Sequence, residues 1–105
     1  MKNTLTEKAM PVTLARELVR SIPYGTKFHR VRSMNAYITD LVIINNRLYR
    51  FVKSYDTIVA VYDYDENTYT EFNKYSVTTS KQVTFIFNAE FSRCGASREF
   101  NPHRI

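Results

Sequence analysis

Between Tyr75 and Lys81 the chain reads YSVTTSK, with hydroxyl side chains at Ser76, Thr78, Thr79 and Ser80 ahead of a lysine. Three roles suit such a cluster. Hydroxyls can cap the free N–H groups that open a helix; the same groups, with Ser80 and Lys81, can cradle a phosphate; or the segment simply closes a sheet. No glycine-rich loop precedes Lys81, so a nucleotide-hydrolysing site is not indicated. Thr78 and Lys81 match only the spacing of a Ser-x-x-Lys pair, without its partner motifs.

A second pattern lies along RLYRFVK, where Arg47, Tyr49, Phe51 and Lys53 share one face of a strand. Interleaved cations and aromatic rings can stack single-stranded bases; the ordinary alternative buries Tyr49 and Phe51 and leaves the charges at the rim. The glycine and aromatic signature of an RRM is absent. Asp63, Asp65 and Asn67 open like a calcium loop, but Thr68 stands where its glycine belongs and Lys74 where its closing glutamate belongs. A solvated turn is expected there. Cys94 and His29 are a thiol and a base with no third group to orient them. One cysteine and two histidines, His29 and His103, also make a dedicated zinc site and a disulfide framework poor expectations. Neither enzyme activity nor a cofactor is expected.

These residues need elements to hold them. The first twelve residues are polar and weakly patterned, and read as a flexible arm. Thr13 can cap a helix whose apolar stripe is Leu14, Leu18, Val19 and Ile22, stopped by Pro23 and Gly25. Residues 27–33 read as a basic edge strand, and Ile38 to Ile44 as one clear strand. Asn45-Asn46 can adopt the positive φ of a two-residue hairpin turn, which returns the chain along RLYRFVK. Turns at Ser54–Asp56 and Asp65–Asn67 bracket TIVAVYDY, apolar on both faces like a central strand, and TYTEF follows.

From Lys81 to Ser92 two readings compete. Val83, Phe85, Phe87, Ala89 and Phe91 alternate as in a strand; alternatively Val83, Ile86, Phe87 and Phe91 share a helix face, with Thr79 or Ser80 as N-cap and Arg93 with Gly95 as the stop. The terminal SREFNPHRI reads as a basic tail. The expected fold is α+β: an N-terminal helix on a four- or five-stranded antiparallel meander, with one domain over 13–95 between an arm (1–12) and a tail (96–105).

The chain has 105 residues, 44% of them hydrophobic, two glycines and three prolines, a balance that supports one packed core. No apolar run approaches the roughly 18–20 residues that span a bilayer, and MKNTLTEK lacks the apolar stretch of a signal peptide, so a cytosolic protein without membrane contact is expected. The formal charge is +5, and the isoelectric point near 9.5. From Arg20 to Lys53 seven bases face one acid, from Ser54 to Phe72 there are five acids and no base, and after Asn73 bases lead again. This polarity favours an anionic partner. Arg30, Arg32, Arg47, Tyr49, Arg50, Lys53, Thr79, Ser80 and Lys81 are the residues expected to meet it.

Ser54, Tyr55, Thr57, Val59 and Ala60, followed by Tyr75, Ser76, Thr78, Thr79, Ser80 and Lys81, resemble a family of small uncharacterised proteins of bacteriophages, archaeal viruses and plasmids. That family pairs a Ser-Tyr-x-Thr-x-Val-Ala strand with a Tyr-Ser-x-Thr-Thr-Ser-Lys motif. The resemblance covers about a third of the chain. It implies that a helix follows the second motif, often opened by a histidine where this chain has Gln82, so a C-terminal helix starting at Thr79-Ser80 completes the expected fold; it also implies a mobile-element setting in the host cytoplasm. The expected function is a small non-enzymatic inhibitor of a host nucleoprotein defence complex, of the anti-CRISPR or anti-defence type, acting through a basic surface. A direct DNA- or RNA-binding regulatory module is the alternative, and a cryptic enzyme ranks below both. The sequence leaves the oligomeric state open, a homodimer included.

Overall fold

A computed structural model describes residues 8–73 and 76–105 of the chain. Its first helix, α1, runs Val12–Arg20. Pro11, extended at φ −62°, precedes it, and no side chain caps it. Thr13 is therefore not the cap: proline's fixed φ starts the helix without a hydroxyl. The buried stripe is Ala15 and Leu18, with Val12, Val19 and Ile22 partly covered, while Leu14 is exposed. Leu18, Val19 and Ile22 thus keep their place in the expected stripe, and only Leu14 leaves it, replaced by Ala15.

Seven strands follow: β1 Phe28–Arg30, β2 Ala36–Thr39, β3 Val42–Ile44, β4 Arg47–Ser54, β5 Thr57–Asp63, β6 Thr68–Phe72 and β7 Ser97–Asn101. They form one sheet in the order β1-β2-β4-β5-β6-β7, with β3 paired to β4. The fold is α+β as expected, but four or five strands is an undercount. Part of the shortfall is the single strand expected over Ile38–Ile44. It divides at Asp40-Leu41 into β2 and β3, which pair with opposite ends of β4. Side-chain bonding supports the break: Thr39 Oγ1 accepts from Phe51 N at 3.0 Å, and Thr39 O accepts from Arg50 Nε at 2.8 Å.

Turn chemistry is local and follows the sequence. Asn45 and Asn46 both have positive φ, 53° and 65°, as a tight hairpin of right-handed twist requires. Gly95, at φ 70°, ends the C-terminal helical segment. Between β4 and β5 a bulge inserts one extra residue, so Val59 and Ala60 both face the same core.

The C-terminal ambiguity resolves as a helix. α2 spans Val77–Ile86 and continues through a wider π-helical turn, Phe87–Phe91, and a 3₁₀ turn, Ser92–Cys94. Having crossed the sheet, the chain returns as β7, parallel to β6. The sheet is thus mixed instead of a pure antiparallel meander, because a crossover helix delivers the chain back in its starting direction. Residues 96–105 are no loose tail: β7 completes the sheet, buried Asn101 donates to Met10 O at 2.9 Å, and Asn73 N donates to His103 O. Of the expected arm, residues 1–7 lie outside the described residues, whereas Ala9 and Met10 are buried.

Helices on opposite faces make two cores. On one side α1 covers Val42, Ile44, Tyr49, Phe51, Val61 and Phe72. On the other, Val83, Ile86 and Phe91 of the α2 segment cover Ala36, Ile38, Val52, Ala60, Tyr62 and Tyr69. The Phe91 ring lies 4.3 Å from that of Tyr62 and 5.0 Å from that of Tyr69, within aromatic contact. Burial pushes the Tyr69 phenol well above its ordinary range, so it remains a neutral donor to Val83 O at 3.0 Å. A sheet covered on both faces explains why β5 reads as apolar throughout.

Candidate anion-binding site

The strand directions bring three separated segments to one end of the sheet: the loop after β1, the β4–β5 turn and the N-terminal turn of α2. Residues 30–36, 53–57 and 76–81 carry four bases, Arg30, Arg32, Lys53 and Lys81, and one acid, Asp56. None of the four bases forms an ion pair among the described residues. At the opposite end, Asp63, Asp65 and Glu66 flank the β5–β6 turn, and Arg47 is held there by Asp63 at 2.9 Å and Asp65 at 3.9 Å.

The nine residues expected to meet an anion therefore separate. Arg47, held charged by its bonds to Asp63, belongs to the acidic end. Arg50 donates to Thr39 O, lies over the Phe91 ring at 5.2 Å and pairs with Glu90 at 3.4 Å. Tyr49 is buried beneath α1 beside Phe51, so the face shared by Arg47, Tyr49, Phe51 and Lys53 is mostly core and offers Tyr49 no stacking surface. Lys53 sits at the basic end, its ammonium 4.3 Å from the Phe28 ring centroid and 5.3 Å from that of Tyr37. Arg30 holds the loop after β1, donating from Nε to Met34 O at 2.8 Å and from Nη2 to Ser33 O at 3.1 Å. Arg32 extends from that loop over the Phe85 ring at 4.9 Å. Thr79 is buried, Ser80 half-buried, and Lys81 exposed on α2.

Two hydroxyls of residues 76–81, Ser76 and Thr79, have a definite use. Ser76, neither Thr79 nor Ser80, is the N-cap, accepting from Thr79 N at 3.1 Å. From there a one-way chain of bonds is consistent with every contact. Ser76 Oγ donates to Thr79 Oγ1 at 3.2 Å, Thr79 Oγ1 to Ser54 Oγ at 3.1 Å, and Ser54 Oγ to Gln82 Oε1 at 2.7 Å. The chain ties the Ser54-Tyr55 motif to the helix motif 25 residues further along the sequence. It also orients the Gln82 amide: with Oε1 engaged by Ser54, the two Nε2 hydrogens are left to a neighbour other than Ser54. Tyr75 and Lys74 lie outside the described residues.

Ser54→Ala should therefore destabilise the fold by about 1–3 kcal/mol, the usual cost of leaving buried polar atoms without a partner. A denaturant midpoint that falls with an unchanged slope would report this. A midpoint equal to that of the parent would show that the chain of bonds contributes nothing.

Beside this network is a cleft of about 500 Å³, lined by Ser33, Met34, Asn35, Tyr55, Thr78, Lys81, Gln82 and Phe85. Tyr55 N donates to Asn35 O at 2.7 Å, locking the β4–β5 turn against the loop that carries Arg32. Sequence reasoning reached Arg30, Arg32 and Lys81 but missed Asn35, Gln82 and Phe85 as lining residues. Tyr55 was visible only as part of the first motif. Nothing in local composition indicates that these four line one cleft.

The other candidates remain apart or are occupied. His29 is on β1 at one edge of the sheet, where its Nε2 lies 3.2 Å from Asp40, whereas Cys94 precedes β7 at the other edge. Asp63 receives Arg47 and the Glu66 amide, and Asn67 accepts from Tyr62, so the calcium-like residues close a turn. Among the described residues no group of three or more His, Cys, Asp or Glu could hold a metal ion, and no helix is long and apolar enough to cross a membrane.

No curated protein and no solved structure matches the chain. One family model does, over residues 24–101, a span that takes in all seven strands, α2 and the whole cleft but not α1. On that match, with the strands and the cleft inside it, the chain belongs to DUF8033, a family of unknown function.

Proposed function

We propose that this is a non-catalytic binding protein whose basic end engages nucleic acid within a host nucleoprotein defence complex. The motif resemblance to phage, viral and plasmid proteins supports a mobile-element setting, and in that setting a small compact binding protein fits an inhibitory role of the anti-CRISPR or anti-defence type. The observation that carries the reading is that Arg30, Arg32, Lys53 and Lys81 lie on or beside three segments that meet at one end of the sheet and whose sole acid is Asp56. Unlike Arg47, Arg50 and Arg98, these four have no carboxylate partner among the described residues. Their charge is available to phosphate.

Electrophoretic shift of the free protein with DNA and with RNA, at two salt concentrations, tests it. Four phosphate contacts give a log–log salt slope of about −3 to −4, so a fourfold rise in salt should weaken binding roughly 100-fold. Binding of free nucleic acid with no effect on a defence complex would favour the regulatory-module reading. Binding of neither polymer would remove the nucleic-acid partner and direct attention to an acidic protein face.

A further inference from the structure

We infer that the cleft between Tyr55 and α2 is a site for one unpaired nucleotide, its base against Tyr55 and Phe85 and its phosphate toward Arg32 and Lys81. The inference rests on the basic-end reading and goes further, from charge to a single-strand-selective pocket.

Three observations carry it. The first is backbone geometry. Among the described residues five non-glycine residues have positive φ, and three of them are asparagines, the side chain that tolerates this region best. The other two are Arg32 at φ 53° and Tyr55 at φ 55°. A bulky residue in the left-handed region is strained, and such strain persists where surrounding structure imposes it, commonly at functional sites. Here both strained residues lie at one place, one lining the cleft and the other resting on the cleft's Phe85 ring. Asparagine or glycine would suit either backbone position better, so the Arg and Tyr side chains are what distinguish these positions.

The second observation is Gln82. It is 5% exposed and lines the cleft. Its Oε1 is engaged by Ser54, and among the described residues its Nε2 has no hydrogen-bond partner. The three-hydroxyl chain therefore leaves a pair of donors on a residue that lines the cleft. Ring nitrogens and carbonyl oxygens on an unpaired base are acceptors for them, and those on the Watson–Crick edge are occupied in a duplex.

The third is the lining itself. Tyr55 is 55% exposed, and Phe85 lies beneath the Arg32 guanidinium. Aromatic rings and arginine planes are the surfaces on which splayed bases stack, and Lys81 at the rim supplies charge for the adjoining phosphate. A volume of about 500 Å³ is within the range of small-ligand sites and is sufficient for a mononucleotide.

Fluorescence anisotropy with a labelled mixed-sequence oligonucleotide of about ten nucleotides tests the inference. It is run as DNA and as RNA, each single-stranded and as the duplex, at one salt concentration. The single strand should bind at least about tenfold more tightly than the duplex, and the DNA and RNA arms identify the polymer. Tyr55→Asn should weaken single-strand binding roughly 5- to 100-fold, the range for losing one stacking ring, and leave duplex binding unchanged. Because asparagine relieves the positive φ, its melting temperature should equal or exceed the parent's. Phe85→Leu, which keeps bulk but not the ring, should act in the same direction. Equal affinity for single strand and duplex, or two variants that bind the single strand like the parent, overturns the nucleotide site while leaving the basic-end reading intact. Binding of neither form overturns both.

Discussion

Replacing Arg32 by asparagine and Lys81 by alanine in one molecule is expected to lower affinity for nucleic acid on the order of 100-fold at low salt, with no loss of thermal stability. Each cation that meets a phosphate through charge-assisted bonds contributes roughly 1.5–3 kcal/mol, or about a factor of 10 to 100. The salt slope should also fall by about two, one for each contact removed. Asparagine is chosen at residue 32 because alanine would keep the strain of φ 53° without the side chain. Neither native side chain has an ion-pair partner among the described residues, so removing them leaves no carboxylate uncompensated. Arg47→Ala is the control: that guanidinium is already committed to Asp63 at 2.9 Å, at the other end of the sheet. Its loss should leave affinity within about twofold of the parent, as expected for a charge distant from the contact surface. Equal losses in the two variants would mean that binding follows net charge instead of the arrangement of the basic end.

Phe51→Ala should remove about 3–5 kcal/mol of stability, the usual range for truncating a fully buried phenylalanine. The whole of a small domain's stability is about 5–15 kcal/mol, so this one change can bring the chain close to unfolding. Phe51 is 0% exposed, on the central strand β4, beneath α1 and beside Tyr49 at a ring separation of 6.3 Å. Its backbone N–H is already engaged by Thr39, so the backbone would hold the cavity's wall in place and limit collapse. Chemical denaturation measures the loss directly. Molecules of the variant that remain folded should bind nucleic acid like the parent, because the ring is core and not part of the binding surface. Reduced binding with unchanged stability would instead restore the base-stacking role that the alternating Arg47, Tyr49, Phe51 and Lys53 suggest.

The contrast between these two substitutions shows what is local in this protein and what is not. Branched residues over 38–44 and 57–63, the Asn45-Asn46 turn, the stop at Gly95 and the two-sided apolar character of β5 are decided by a few neighbouring residues. Each is legible because backbone preference and side-chain alternation act over two to ten positions. The excess of positive charge is likewise a property of composition.

Its placement is not. Whether Arg47 is free or neutralised depends on the β4–β5 register, which sets it near Asp63, 16 residues away. Residues 81–91 carry both a strand alternation and a helix face. The sheet's second apolar face, left bare by α1, resolves them, since only a crossover segment can cover it and deliver β7 beside β6. The four hydroxyls ahead of Lys81 invite a local explanation, yet two of them, Ser76 and Thr79, have a distant one as well, a chain of hydrogen bonds ending on Gln82 through Ser54. By itself, then, the sequence determined turns, most strand positions, the amphipathic first helix and the sign of the charge. Tertiary structure alone decided which cations remain unpaired, which aromatic rings stay accessible and that Arg32, Tyr55, Gln82 and Phe85 gather around one cleft. Local periodicity says which way a side chain points from its own backbone; only packing says what it meets.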